Sequence, residues 1–322
     1  MHTPRKIVIA GGSGFLGKLI AARYYGTDTR IIILTRSPEP DEKNVSFIKW
    51  DGKTIGPWAE EISGSDVVIN LAGRSVDCRY NEKNKKVIIN SRVDSTKVIG
   101  KAIQTAVVPT KLWVNASTSA VYGDSGEEIM TEASPLAEGF SPGVCKIWEK
   151  TFNEIETPGT RKAVLRIALV LGREGGVLKP FLKIARLGLG GTIGSGKQYI
   201  SWIHEEDFVR VIDFVIAKDE IEGMMIVAGP EPVTNKEFMK TIRQAAGMPI
   251  GIPSPSFLVE IGTFILRTES ELLLMGRRVM PERLIDKGFE FKYPSLREAL
   301  LEIISRKDKP SAFKRYKSGF TK

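Results

Sequence analysis

The sequence predicts an α/β protein in which a parallel sheet, covered by helices on both faces, is followed by a smaller, partly helical C-terminal lobe. Short apolar runs alternate with longer amphipathic segments up to about residue 168, which is typical of parallel strands joined by crossover helices. The runs at 67–72 and 164–171 are apolar almost throughout, as expected of strands buried on both faces. From residue 172 onward, a glycine-rich stretch and further helical patterns replace this alternation.

Each predicted strand is a short apolar run, and a helical pattern separates most of them. The predicted strands cover residues 6–10, 30–35, 45–50, 67–72, 111–116 and 163–171. The predicted helices cover residues 14–25, 83–105, 143–155 and 206–217. Two polar residues, Asn70 and Arg166, interrupt otherwise apolar strands, and we expect both to point toward a functional site. Between 230 and 304 the pattern predicts two or three more helices, with a break at Pro253 and Pro255.

Composition excludes several classes of protein. Hydrophobic residues make up 42% of the 322 residues and charged residues 26%, as in ordinary soluble globular proteins. No apolar run has the length of a transmembrane helix, and the chain opens into a strand pattern without a signal peptide. We therefore expect a cytoplasmic protein with no membrane partner. The two cysteines, Cys78 and Cys145, indicate neither a disulfide framework nor a zinc site.

A glycine motif follows the first predicted strand directly and opens the first predicted helix. Its GxxGxxG spacing is typical of a Rossmann-like dinucleotide site, where glycines let the backbone approach a pyrophosphate and the helix N-terminus binds its charge. The alternative is a glycine turn that serves packing alone. The loop residues that we expect to contact the cofactor are Gly11, Gly12, Ser13, Gly14, Phe15, Leu16 and Gly17.

The end of the second predicted strand indicates which dinucleotide is preferred. An NAD site usually has an acidic residue there, which accepts a hydrogen bond from the ribose 2′-hydroxyl. This chain has Thr35 and Arg36 instead. A guanidinium binds a 2′-phosphate through charge-assisted hydrogen bonds, so the sequence favours NADP(H) over NAD(H). The alternative is that Arg36 only solvates the end of a strand.

Seven sequence strings together resemble a known family. They are GGSGFLG at 11–17, INLAG at 69–73, NSR at 90–92, VYGD at 121–124, LRIALVLG at 165–172, GSGKQYISWIHEED at 194–207 and MGRRVMPERLIDKGFEFKYP at 275–294. The chain resembles the extended short-chain dehydrogenase/reductases, and within them the atypical epimerase-like subgroup that is often labelled sugar-nucleotide epimerase. The strings span nearly the whole chain, and the last two are specific to the subgroup.

The resemblance implies further cofactor contacts and part of a catalytic apparatus. Members of the family use a Ser or Thr to orient the substrate and a Tyr-x-x-x-Lys pair as acid and base. Thr118 stands at the Ser/Thr position, four residues before Tyr122. The further residues that the resemblance places at or near the cofactor are Leu71, Ala72, Gly73, Arg92, Ser117 and Cys145.

The Tyr-x-x-x-Lys pair is missing. If Glu149 is matched to the acid that follows the family's lysine, Ser141 takes the place of the tyrosine and Cys145 that of the lysine. Tyr122 is a candidate for a substitute acid, with packing against the cofactor loop as the alternative. Cys145 is either a nucleophile or, as we expect, a buried thiol near the nicotinamide. Lys146 is close enough in sequence to point inward, although a solvated helix face suits it better.

Two other features have a chemical and a structural interpretation. His204 lies beside carboxylates and could be a general base, but the resemblance favours a helix cap formed with Asp207. The segment 194–198 has some likeness to a phosphate loop, but it lacks the full spacing and the preceding strand. We interpret it as a turn that lines the substrate cleft.

The net charge of +9 is concentrated at the C-terminal end. Residues 305–322 contain seven basic residues and one acidic residue, a net charge of +6. We expect a solvated, flexible tail; a nucleic-acid-binding arm is the remote alternative. The sequence thus divides into an NADP-binding domain at 1–230 with a cleft wall at 172–204, a C-terminal substrate lobe at 231–304, and the basic tail at 305–322.

The expected function is that of an NADP(H)-binding oxidoreductase or epimerase-like protein. Its partner would be a small molecule with a carbonyl or hydroxyl group, whose identity neither fold nor cofactor fixes. We expect no nucleic-acid partner, and the sequence leaves the oligomeric state open. The alternative is a non-catalytic protein that responds to NADPH, because the missing Tyr and Lys put catalysis itself in question.

Overall fold

The computed structural model describes residues 3–266 and 269–305, except for the side chains at 262, 265, 266 and 272. The strands are β1 (Lys6–Ala10), β2 (Arg30–Thr35), β3 (Val45–Lys49), β4 (Val67–Asn70), β5 (Leu112–Thr118), β6 (Ile129–Met130), β7 (Arg161–Ile167), β8 (Leu169–Leu171), β9 (Tyr199–Ile200), β10 (Trp202–His204), β11 (Gly223–Val227), β12 (Val233–Thr234) and β13 (Arg278–Val279). The α-helices are α1 (Phe15–Tyr24), α2 (Glu82–Gln104), α3 (Phe140–Glu154), α4 (Leu178–Ile184), α5 (Glu205–Ala217), α6 (Asn235–Ala245), α7 (Ser256–Leu266), α8 (Glu271–Leu274), α9 (Glu282–Asp286) and α10 (Leu296–Ser305). The predicted basic tail lies almost wholly outside the described residues.

A seven-stranded parallel sheet forms the centre of the molecule. Its strand order is β11-β7-β5-β4-β1-β2-β3, and every neighbouring pair is parallel. The order reverses between β1 and β4, which opens a crevice at the carboxyl ends of these strands, where ligands of such sheets bind. The predicted Rossmann-like fold is confirmed, and β1 and β2 have the predicted bounds.

Alternate residues of each strand enter two different cores. Ile7, Ile9 and their equivalents pack under α1 and α5 on one face. Val8, Ala10 and their equivalents pack under α2 and α3 on the other face. Because both sets of side chains are buried, the strands are continuous apolar runs rather than alternating ones.

The predicted strand at 163–171 is not one strand. It breaks at Ala168 into β7, which stays in the main sheet, and β8, which pairs with β10 in a separate two-stranded sheet. The edge strand β11 was not predicted, although it pairs with β7 over five residues. The apolar run continues through the break because both halves are buried, so hydrophobicity alone does not reveal it.

The C-terminal lobe has a core of its own. It is formed by residues of α4, α6 and α10 together with Leu171 and Trp202. The predicted cleft wall at 172–204 therefore packs with the C-terminal helices. Five helices, rather than two or three, lie among the described residues between 230 and 304. The prediction was wrong because α8 and α9 have only four and five residues, which is too short for an apolar period.

Candidate functional site

The glycine loop joins β1 to α1 by a close approach of backbone to backbone. Gly11 has φ +72°, and a Cβ on Gly17 would lie only 2.4 Å from the Cα of Gly12. The N-cap of α1 is Gly14, which provides no side-chain cap. The first backbone N–H groups of α1 are thus available to an anion, as a pyrophosphate site requires.

A cavity of about 660 Å³ opens beside this loop, between the carboxyl ends of β2, β3 and β4. The predicted cofactor residues that line it are Gly11, Ser13, Gly14, Thr35, Arg36, Leu71, Ala72 and Gly73. Thr35 donates a hydrogen bond to Ser13 Oγ at 3.2 Å, which ties the end of β2 to the glycine loop. Arg36 is exposed and forms no ion pair or hydrogen bond with any residue that the structure describes.

The other predicted cofactor residues do not line this cavity. Gly12 and Gly17 are buried where the loop meets α1, and Leu16 packs against the main core. Phe15 packs against the glycine-rich stretch, where a Cβ on Gly175 would lie 2.4 Å from its ring. Of the remaining residues, Cys145 belongs to α3, and Arg92 and Ser117 contact Trp148 and Glu149 of that helix.

One wall of the cavity was missed in the sequence. The end of β3 contributes Trp50, Asp51, Gly52 and Lys53. Asp51 accepts hydrogen bonds from Lys53 N at 2.8 Å, Thr54 N at 2.9 Å and Thr54 Oγ1 at 2.7 Å. These bonds, led by the Thr54 backbone N–H, lower the pKa of Asp51 to about 2, so the wall holds a fixed negative charge. The sequence did contain a sign of this wall, because Asp51 and Gly52 directly follow the predicted strand at 45–50.

The polar residue of β4 positions part of the opposite wall. Asn70 is fully buried, and its side-chain oxygen accepts a hydrogen bond from Ala72 N at 3.1 Å. Its amide donates to Asn115 Oδ1 at 2.8 Å and to Thr96 Oγ1 at 3.1 Å. The Asn70 side chain does not itself line the cavity; it holds the backbone of Ala72, which does.

Arg166, the other polar residue of a buried strand, is the centre of a buried network. Its Nε and Nη2 donate to the two carboxylate oxygens of Glu149 at 2.9 and 2.7 Å. Its Nη1 donates to the hydroxyl of Tyr122 at 2.8 Å, and Ser117 donates to Glu149 Oε1 at 2.5 Å. Burial opposes the charge of Arg166, but the hydrogen bonds and charge of Glu149 prevail and raise the pKa of Arg166.

The two residues predicted to be catalytic have different environments. Tyr122 is 2% exposed, and its hydroxyl is held by Arg166. Burial raises the pKa of Tyr122, against the charge of Arg166. These contacts favour the structural interpretation of Tyr122. Thr118 is half-buried at the end of β5 and accepts a hydrogen bond from Ala120 N at 3.2 Å, which caps the short 3₁₀ turn Ser119–Tyr122.

The places of the missing tyrosine and lysine lie on the first turns of α3. Ser141 donates a hydrogen bond to Glu271 Oε1 of α8 at 2.5 Å, a contact between the two lobes. Cys145 is 2% exposed, and burial raises the pKa of its thiol to about 12. A thiol that stays protonated is a poor nucleophile, so the buried-thiol interpretation is the better one. Lys146 points outward and pairs with Glu138 at 2.6 Å.

The histidine segment has a structural role. His204 is fully buried, and its Nδ1 accepts a hydrogen bond from Glu206 N at 3.0 Å as the N-cap of α5. Asp207 accepts hydrogen bonds from the backbone N–H groups of Lys292 and Tyr293 at 2.9 and 2.8 Å. The predicted cap is confirmed for His204, whereas Asp207 lies in the first turn of α5 and binds the segment before α10 instead of capping the helix. Residues 194–198 form a turn, with positive φ at Gly194 and Gly196.

Two negative findings concern the described residues. No three His, Cys, Asp or Glu side chains among them are grouped so that they could hold a metal ion. In the same part of the chain, every helix is too short or too polar to cross a membrane.

Comparison with known families agrees with this geometry. A sequence model of the NAD dependent epimerase/dehydratase family matches residues 7–229. The chain belongs to the NAD-dependent epimerase/dehydratase family. Residues 254–303 match a second model, which describes a domain of unknown function, DUF1731. The family resemblance predicted from the sequence is confirmed.

Relatives within this epimerase/dehydratase family extend over nearly the whole chain. The epimerase family protein YfhF of Bacillus subtilis is 35% identical over 301 residues, which are 93% of this chain and 98% of that protein. The human epimerase family protein SDR39U1 is 32% identical over 306 residues, which are 93% of this chain and 100% of that protein.

Solved structures of this family have the same fold. The crystal structure of human epimerase family protein SDR39U1 (isoform 2) with NADPH matches with a TM-score of 0.83 and 31% identity. It covers 93% of this chain and 99% of the human one. A nucleoside-diphosphate sugar epimerase from Corynebacterium glutamicum matches with a TM-score of 0.75 and 25% identity, over 94% of this chain and 58% of that one.

Proposed function

We propose that this chain is an NADP(H)-dependent oxidoreductase or epimerase-like enzyme that acts on a carbonyl or hydroxyl group of a small molecule. The main support is the cavity between the glycine loop and Arg36, whose guanidinium has no partner among the described residues. The human relative crystallised with NADPH supports the same cofactor.

The residues present fit such a cofactor. The uncapped N-terminus of α1 and the close backbone of the glycine loop suit a pyrophosphate, since a Cβ on Gly11 would lie 2.9 Å from Ala72 Cα and fill the approach. Arg36 suits a 2′-phosphate, because its free guanidinium lies on the cavity wall that Thr35 fixes through its bond with Ser13. When bound, the nicotinamide supplies hydride chemistry at a carbonyl or alcohol carbon.

We assign the orientation of the substrate oxygen to Thr118. It lies at the carboxyl end of β5, the sheet edge at which ligands of this fold bind. Tyr122 holds the turn that follows Thr118 through its bond with Arg166, and its hydroxyl is not exposed. In this proposal, water in the cleft exchanges the proton that accompanies hydride transfer.

Replacing Arg36 by alanine tests the cofactor assignment. We expect Arg36→Ala to weaken NADPH binding about 10- to 100-fold, because one hydrogen bond to a charged group is worth about 1.5–3 kcal/mol. NADH affinity should change little, since NADH has no 2′-phosphate. A titration of both nucleotides, followed by nicotinamide fluorescence, measures the two constants. If neither nucleotide binds the unmodified protein, the proposal is wrong and the glycine motif is a packing turn.

Replacing Thr118 by alanine tests catalysis separately from binding. In a screen of carbonyl compounds with NADPH, we expect Thr118→Ala to lower turnover about 100-fold at unchanged NADPH affinity, as is typical when a general acid–base or orienting group is lost. The exposed Thr105→Ala serves as the matched control and should leave turnover unchanged. Equal turnover of Thr118→Ala and wild type would remove Thr118 from the mechanism.

One observation favours the non-catalytic alternative. Ser141, at the place of the family's tyrosine, is hydrogen-bonded to Glu271 across the lobes instead of being free for a substrate. A protein that binds NADPH and signals its occupancy through the lobes would show NADPH binding that depends on Arg36, but no turnover in the carbonyl screen.

A further inference from the structure

Three hydrogen-bond donors converge between the two lobes, near the buried thiol of Cys145. Arg92 comes from α2, Tyr80 from the connection just before α2, and Arg277 from the residue before β13 in the C-terminal lobe. Cys145 and Tyr80 both contribute to the pKa of Arg92 and to that of Arg277. Each arginine is therefore within electrostatic range of both Tyr80 and Cys145, although the four residues come from distant parts of the sequence.

Arg277 has a fixed backbone and an unpaired side chain. Its N–H donates to Tyr199 O at 2.8 Å, and its carbonyl accepts from Ser201 Oγ at 2.8 Å. A Cβ on the preceding Gly276 would lie 2.5 Å from Tyr199 N, so the backbone at Gly276 packs against β9 more closely than any other residue type would allow. The guanidinium forms no hydrogen bond or ion pair with any described residue, and its Nε is fully buried. A partly buried cation whose buried N–H has no acceptor is unfavourable unless a ligand completes it.

Arg92 is held from one side only. Its guanidinium stacks over the ring of Trp148 at 5.1 Å, and Nη1 donates to Arg74 O at 3.1 Å and Ile88 O at 3.0 Å. Nε and Nη2 donate to none of the residues within the described ranges. Gly73 leaves room for this arrangement, because a Cβ there would lie 3.1 Å from Arg92 Cζ.

Tyr80 adds a third donor. Its hydroxyl is buried and forms no hydrogen bond of normal geometry in the part of the chain that the structure describes. Ser141 acts on the pKa of Tyr80, but the two hydroxyls do not meet hydrogen-bond geometry, and Ser141 donates its hydrogen to Glu271. The tyrosine ring is fixed against Phe140, with ring centroids 4.6 Å apart. A buried hydroxyl without a partner is as exceptional as the unpaired guanidinium.

We propose that Arg92, Arg277 and Tyr80 form a binding site for an oxyanion, a carboxylate or a phosphate, that belongs to the substrate. All three side chains offer donors, and a planar guanidinium matches the two oxygens of such a group. The proposal rests on the proposed function and gives it a substrate class, namely anionic carbonyl or hydroxyl compounds. Glu271 and Asp124 act on the pKa of Arg277, but neither carboxylate forms an ion pair or hydrogen bond with its guanidinium, and Glu271 accepts a hydrogen bond from Ser141 instead.

The test uses the full chain saturated with NADPH, so that the phosphate sites of the cofactor are already filled. Thermal midpoints are measured with malonate, with inorganic phosphate, and with chloride at equal ionic strength. We expect malonate or phosphate to raise the midpoint of the wild type above that in chloride, and the more effective anion identifies the source. In Arg277→Gln this rise should need at least about 10-fold more anion, because a charged hydrogen-bonding partner is lost. The exposed Arg297→Gln of the same lobe is the matched control and should behave as wild type.

A second readout separates loss of binding from loss of folding. Without added anion, Arg277→Gln should be at least as stable as the wild type, because the substitution removes a partly buried charge and a buried N–H that has no acceptor. An equal anion response in wild type and Arg277→Gln would overturn the proposed site, and so would the absence of any response beyond chloride. Either result leaves the proposed function standing if the NADPH titration succeeds, whereas failure of that titration counts against the proposed function itself.

Discussion

Replacing Arg166 by methionine is expected to lower the free energy of unfolding by about 3–5 kcal/mol, the usual effect of removing one partner of a buried ion pair. Arg166 and Glu149 are 4% and 7% exposed, and two hydrogen bonds of 2.9 and 2.7 Å join them. The substitution leaves the buried Glu149 carboxylate with Ser117 as its remaining hydrogen-bond donor among the described residues, and it leaves the Tyr122 hydroxyl without its donor. Urea denaturation followed by circular dichroism measures the change.

Two further variants control this experiment. The double variant Arg166→Met with Glu149→Leu should recover a large part of the loss, because no uncompensated charge remains buried. Lys150 and Glu154 form an ion pair of 3.7 Å on the exposed side of α3, the helix that carries Glu149. Lys150→Met should cost no more than about 0.5 kcal/mol, as exposed helix pairs do. A loss below about 1 kcal/mol in Arg166→Met would contradict a buried network.

Replacing Gly17 by alanine is expected to weaken NADPH binding by about 100-fold or more, which corresponds to about 2.7 kcal/mol. The added Cβ would lie 2.4 Å from Gly12 Cα and 2.6 Å from Gly12 O, and backbone atoms cannot rotate away as side chains can. The glycine loop must therefore move off α1, which displaces the N–H groups that we assign to the pyrophosphate. Overpacking of this kind also lowers the free energy of unfolding by about 1–3 kcal/mol.

The matched control is another glycine of a first helical turn. A Cβ on Gly143 in α3 meets no atom within 4 Å, so Gly143→Ala should bind NADPH with wild-type affinity. Fluorescence titration and urea denaturation of both variants separate a local effect on the cofactor from a general loss of stability. Unchanged affinity in Gly17→Ala would show that the loop does not form the cofactor site.

The sheet was the most predictable part of the fold. β1 and β2 match their predicted bounds because apolar runs such as 6–10 are bounded by polar residues and a glycine turn. The break between β7 and β8 was not predictable, because Ala168 is buried and apolar like its neighbours. The edge strand β11 was missed because its first residues are glycine and two methionines, which have no strong preference for strands.

The candidate site was predictable where a local motif requires it. The glycine loop, Thr35 and Arg36 follow from their spacing, and the cavity brings most of them together. Arg166 was flagged as a polar residue in a buried strand, but its partner Glu149 lies on another element. The apolar pattern of the strand identifies Arg166 as an exception, but only the tertiary structure shows which residue accepts its hydrogen bonds.

The residues of the proposed oxyanion site were beyond the reach of local patterns. Tyr80 lies in a connection without a predicted element, and Arg277 lies in a C-terminal string that indicated a family but no chemistry. Tyr80 and Arg277 are candidates because their buried polar atoms have no hydrogen-bond partner among the described residues. The absence of a partner can be recognised only in the folded structure.

The interruption at Ala168 has a consequence for how the molecule comes apart. Ala168 N donates to Val227 O in the main sheet at 3.0 Å, and Leu169 N donates to Ser201 O at 3.2 Å in the small sheet. Successive amides of one chain segment thus belong to two sheets, and β13 of the C-terminal lobe pairs with β6 in a further two-stranded sheet. We therefore expect the two cores to lose their structure together. Stabilisation gained by a nucleotide at one end of the molecule is therefore shared by the amide protons of helices at the other end.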